Sequence, residues 1–222
     1  MKKLTICALI ISSLSYAAAI TGLCNTGKAT CDGPFLPNGS VDSHYTVVSG
    51  PVTGSTFVGA HPAWTSRDAD SQWIGPTNGT NQVPGGYYTY QTTFNASTTN
   101  VMISGLWSAD NAGYDIILNG KSLLNNGISG SGLFPYYGFD GVQTMTPFTI
   151  TSGFAIGTNT LDFVVQNGNF ANDTTAPSGL RVSMTASAIT STPEPSTFAL
   201  ISFFLVAGSA LIWRRSAKKI VR

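Results

Sequence analysis

The chain has 222 residues, a formal net charge of +1 and only 9% charged side chains, alongside 24 glycines. That length holds one domain of ordinary size. Between residues 20 and 197, Lys28, Arg67, Lys121 and Arg181 face ten acids, a formal charge of −6, so the near-neutral total comes from two cationic ends. An acidic body lacks the cationic surface that displaces phosphate counterions, which argues against nucleic acid as a partner.

In chain order the first element is a processing segment. Residues 1–19 read MKKLTICALIISSLSYAAA: Lys2 and Lys3 form a charged start, Leu4 to Leu14 an apolar stretch, and Ala17 and Ala19 a small-residue cleavage site. This pattern predicts a secretory signal peptide cut after Ala19. Bulky Leu23 next to Cys24 does not suit lipid attachment there. Once Cys7 leaves with the leader, Cys24 and Cys31 remain, and in an oxidising compartment they are expected to form a small-loop disulfide that pins the N-terminal segment, residues 20–44. No further Cys or His completes a four-ligand metal set around them.

From Tyr45 to Ile189 the chain is rich in Gly, Thr, Ser and Asn, with turn signals about every ten residues, which predicts an all-β sandwich over 45–189. Period-two alternation puts Tyr88, Tyr90, Thr92 and Phe94 on one face, and Val101, Ile103 and Trp107 on one face with Gly105 between. YDIILNGKSLL reads as a hairpin whose Asn119-Gly120 pair suits a type I′ turn. Two later strands follow, with Leu161, Phe163 and Val165 inward in one and Leu180, Val182, Met184 and Ala186 inward in the other. No helical period occurs outside the two ends.

Groups suited to catalysis are sparse. His44 and His61 sit in no metal or nucleophile motif and read as hydrogen-bonded loop histidines, and the body has no glutamate before Glu194. A glycosidase pair needs two carboxyls. Asp68, Asp70, Asp110, Asp115, Asp140 and Asp162 are available, but no pair is singled out and Asp162 lies mid-strand facing outward. A non-enzymatic role is the expectation, with no residue nominated as catalytic. RDAD at 67–70 and SADN at 108–111 offer oxygen ligands for calcium through Asp68, Asp70, Asp110 and Asn111. The same residues are ordinary turn formers, which is the stronger reading. LFPYYGFDG at 133–141 offers Phe134, Tyr136, Tyr137, Phe139 and Asp140, rings and a carboxylate that either pack or bind a sugar. Trp64, Trp73 and Trp107 read as core or sheet-edge packing.

The last elements are a linker at 190–197 containing Pro193-Glu194-Pro195, an uncharged run at 198–213, and the tail RRSAKKIVR at 214–222 with five basic residues. As a helix the sixteen-residue run would be about 24 Å long, which spans a hydrocarbon core of about 30 Å if Arg214 and Arg215 snorkel and the bilayer thins. The positive-inside bias keeps the tail cytoplasmic and exports the body.

Two resemblances follow. Pro193, Glu194 and Pro195, then an apolar run, then Arg214 and Arg215 resemble the PEP-CTERM sorting signal of exported bacterial proteins, over about 30 residues. That resemblance implies processing by an exosortase, a membrane-embedded cysteine protease, in bacteria that make exopolysaccharide, with the product held first in the inner membrane and then at the cell surface or in the matrix. SQWI with Trp73-Ile74, YYTYQTTF, SADN followed by IILNG, GTNTLDFVVQN and PSGLRV resemble a galactose-binding-like jelly roll over residues 45–189. It implies a ligand site in end loops, often for sugars, and sometimes a structural calcium. The combined expectation is a structural, adhesive or carbohydrate-binding surface protein, with a polysaccharide-active enzyme or a permanently anchored protein as the alternatives.

Overall fold

Alternation of buried and outward side chains, interrupted by glycine-bearing turns, builds the long strands β6 and β12 at the centre of the body. The computed structural model describes residues 19–59, 61–64, 69–79, 82–125, 127–132, 144–168 and 175–189. Residues 1–18 of the predicted leader, the Pro-Glu-Pro linker, the apolar run and the basic tail lie outside them, as do Asp68 and residues 133–141. The described elements are β1 (Ile20–Thr21), β2 (Val41–Ser49), β3 (Gly54–Val58), β4 (Ile74–Gly75), β5 (Gln82–Val83), β6 (Gly86–Ala96) and β7 (Val101–Asp110). They continue with β8 (Ala112–Leu118), β9 (Lys121–Ser122), β10 (Gly130–Gly132), β11 (Thr146–Ile150), β12 (Gly157–Asn167), β13 (Ala176–Pro177) and β14 (Gly179–Ala188).

All pairings are antiparallel, and the main sheet runs β10-β11-β7-β14-β4-β3-β2-β6-β12-β8-β9, with β1 added beside β6 and β13-β5 forming a separate ribbon. Strands far apart in this order meet face to face. The ring of Trp107 on β7 lies 5.5 Å from that of Phe163 on β12, and Phe163 lies 5.6 Å from Phe148 on β11. The sheet therefore curls over on itself into an all-β, sandwich-like body with these rings at its centre.

Tyr88, Tyr90, Thr92 and Phe94 of β6 are all buried, as are Val101, Ile103 and Trp107 of β7 and Leu161, Phe163 and Val165 of β12. Gly105 keeps its place in β7 because a Cβ there would come within 2.4 Å of the Ser183 carbonyl oxygen. Asn119 and Gly120 take φ of 51° and 75°, the two positive values a type I′ turn needs. Asp115 secures that hairpin by accepting from the Ile116 and Leu124 amides and from the Ser122 hydroxyl.

One inward assignment is corrected. Leu180, Val182 and Met184 of β14 are buried, but Ala186 is exposed. The N-terminal segment covers the edge of β14 only as far as Met184, whose amide donates to Asn25 Oδ1 at 2.7 Å, and solvent enters beyond it. That segment is itself built into the body. Thr26 exchanges backbone and hydroxyl bonds with Val182, and its hydroxyl donates to the Gln72 carbonyl at 2.7 Å. Gln72 in turn donates to the carbonyls of Gly27 and Leu36.

Candidate functional site

A concave site lies where this N-terminal segment runs past the exposed end of β14. A cleft of about 800 Å³ opens there, and Thr21, Asn25, Lys28, Asp32, Asp70, Ser183 and Thr185 supply polar lining. Ile20, Leu23, Met184 and Ala186 supply apolar lining.

Local chemistry explains why the rim holds its shape. Cys24 and Cys31 are bonded to each other, which closes the loop carrying Lys28. The Tyr45 hydroxyl, fully buried, donates to the Cys24 carbonyl at 2.8 Å. Asp42 is also fully buried, and its carboxylate accepts from the Gly27 amide at 2.6 Å and the His44 amide at 2.9 Å. Burial pushes the Asp42 carboxyl pKa up, and those hydrogen bonds, with the neighbouring His44 ring, only partly offset it. Lys28 sets its ammonium 4.0 Å from the centre of the Phe35 ring and donates to the Ala69 carbonyl at 3.5 Å. Two carboxylates, an ammonium, three hydroxyl-bearing residues and apolar side chains in one cleft suit a ligand rich in hydroxyl groups, which needs donors and acceptors beside apolar surface.

The residues singled out from sequence fall in different places. Asp70 lines the cleft. Asp110, at the end of β7, accepts the Trp64 indole N–H on Oδ2 at 2.5 Å, and Asn111 Oδ1 accepts the Gly168 amide, so both tie distant segments together. Burial pushes the Asp110 carboxyl up to about 6, against the opposing pull of the Trp64 bond and of His61. Among the described residues no three His, Cys, Asp or Glu side chains converge on a common point. His44 lies on strand β2 rather than in a loop, its Nδ1 3.3 Å from Asp42 Oδ1, while His61 Nδ1 accepts the Ala63 amide at 3.3 Å. Trp64 and Trp73 stack with centroids 4.6 Å apart, and both are buried, as is Trp107. Asp162, half-buried on the outer face, accepts from Gln91 Nε2 at 2.8 Å.

Lys28, Asp32, Asn25 and Ser183 were not legible as a group. They are drawn from opposite ends of the body, and only the seating of the N-terminal segment against β14 unites them. Among the described residues no helix is long and apolar enough to cross a membrane. No family model, no curated protein and no solved structure matches the chain.

Proposed function

We propose that this is an exported bacterial surface or extracellular-matrix protein, sorted by a PEP-CTERM-type tail and processed by an exosortase, whose β body binds or adheres to extracellular polysaccharide. The observation that carries the reading is the order of three parts at the C-terminus: Pro193-Glu194-Pro195, the uncharged run 198–213, and Arg214-Arg215 opening a basic tail. Pro193 and Pro195 carry no backbone N–H and disfavour helix, a sequence feature that suits a site read by a membrane protease. The body contributes support of a different kind. It is all-β, and the cleft beside β14 is lined by hydroxyls, an amide and carboxylates beside apolar side chains. A galactose-binding-like jelly roll is the finer topology included in this proposal.

The intact mass of the protein recovered from cells and from medium tests the sorting. Ends near residues 20 and 195 are expected. A mature species that still contains Trp213 to Arg222 replaces release with permanent mooring.

A hydrolase is the second reading, favoured by one observation: the carboxylates of Asp32 and Asp70 line the same cleft. Under the binding reading, D32N and D70N release no fewer reducing ends from exopolysaccharide than the wild type, because there is no turnover to lose. A fall of about a hundredfold or more, as expected when a general acid or base is removed, makes the protein an enzyme.

A further inference from the structure

Strand β8 departs from strict alternation. Ile116 and Leu118 point inward and are fully buried, and period two would send Tyr114 the same way. Instead the register against β12 jumps: Val164 pairs with Asp115 and Val165 with Gly113, which leaves Tyr114 as the extra residue of a β-bulge. The bulge turns its ring to the outer face, where it is 47% exposed.

Tyr87 comes to the same place from the other side of β12. It sits on β6 opposite Gln166, faces outward and is 42% exposed. Strands β6 and β8 flank β12, so their backbones lie about 10 Å apart. The two ring centroids are nonetheless 4.7 Å apart, tilted by 50°. Both side chains therefore lean over β12 and make one aromatic platform in water.

The geometry points to a neutral polysaccharide chain as its occupant, laid along the outer face of β6 and β12 with a pyranose ring on the Tyr87–Tyr114 platform. Charge decides the class. Beside the Tyr87 ring and Val164, the outward positions of these two strands carry amides, hydroxyls and a single charge, that of Asp162, which is bonded to Gln91; no cation stands among them. A polyanion finds no counter-charge there. An uncharged polymer finds ring faces for its apolar C–H faces and the side chains of Thr89, Gln91 and Asn95 for its hydroxyls. From Tyr87 to Asn95 the strip is eight residue steps, about 27 Å at strand rise, long enough for several sugar rings of a β-linked chain. A protein partner, by contrast, favours an apolar centre with a polar rim, whereas this strip is polar along most of its length.

The inference deepens the proposed carbohydrate binding and rests on it. Its test uses the full chain in a polyoxyethylene detergent, which carries no sugar, and measures depletion onto amorphous cellulose. We expect Y87A and Y114A each to weaken binding several-fold and the double variant at least tenfold, with Y114F close to wild type because the ring remains. Unchanged binding by the double variant, with a wild-type melting curve, overturns the platform but leaves carbohydrate binding to the cleft. Should the double variant fail to fold, the single variants and Y87F carry the comparison, and equal binding by all of them overturns it. A wild type that ignores both cellulose and the polysaccharide washed from the producing cells overturns the carbohydrate reading as well. Retention on alginate alone, or a wild-type dimer that dissociates in the double variant, assigns the rings to another partner.

Discussion

Replacing Phe163 by alanine lowers the unfolding free energy by about 3–5 kcal/mol, the range for deleting a fully packed aromatic side chain. Phe163 has no exposed surface and touches the two largest rings of the opposing layer, Trp107 and Phe148, at centroid distances of 5.5 and 5.6 Å. Removing it takes away apolar burial and leaves a cavity between β12 and the β7–β11 layer. The surrounding rings are held by antiparallel ladders on both sides, so collapse into the space is limited. Domains of this size are stable by only about 5–15 kcal/mol, so the loss consumes a large share. Urea denaturation should show the midpoint falling while the slope stays the same. An unchanged midpoint would mean that the two layers are not joined at this contact.

The second large effect is a pH dependence centred on Asp110. Its folded pKa is about 6 against an unfolded value of 3.8, chiefly because burial penalises the charged form. A carboxyl raised in this way binds a proton more readily folded than unfolded. Its stabilising contribution is therefore complete below about pH 4 and lost as pH rises through about 6, at which point the loss amounts to on the order of 2–3 kcal/mol. Asp42 and Asp162 are raised in the same direction, also first by burial, so they add to the same slope. Asp110→Asn keeps a carbonyl oxygen for the Trp64 indole N–H and never carries the buried charge. The variant should match wild type near pH 4, melt higher at pH 7.5, and show a flatter profile between. Asp110→Ala, which strands that N–H, should melt lower at every pH. Parallel wild-type and Asp110→Asn curves from pH 4 to 8 would show that Asp110 does not titrate in this window.

The cleft and the outer platform differ in how they could have been found. The Tyr87 ring was implied by alternation in YYTYQTTF, because placing Tyr88 and Tyr90 inward places Tyr87 outward. Tyr114 was not. The same rule that correctly buries Ile116 and Leu118 misplaces it, since a bulge inserts a residue without leaving a compositional mark. The cleft was hidden for another reason: Asp32 and Ser183 are far apart in sequence, and neither belongs to a motif.

What the amino-acid order determined by itself is the local periodic structure. The class of fold, the inward faces of β6, β7 and β12, and the Asn119-Gly120 turn all follow from short-range alternation and backbone sterics, which act over a few residues at a time. What only the tertiary structure decided is which distant pieces meet. Seating Thr26 between Gln72 and Val182 sets the N-terminal segment beside β14 to form the cleft while leaving Ala186 uncovered, and the slip of β8 against β12 sets Tyr114 beside Tyr87. Those outcomes depend on hydrogen bonds and packing between residues up to 159 positions apart, whose free energy no local window of sequence contains.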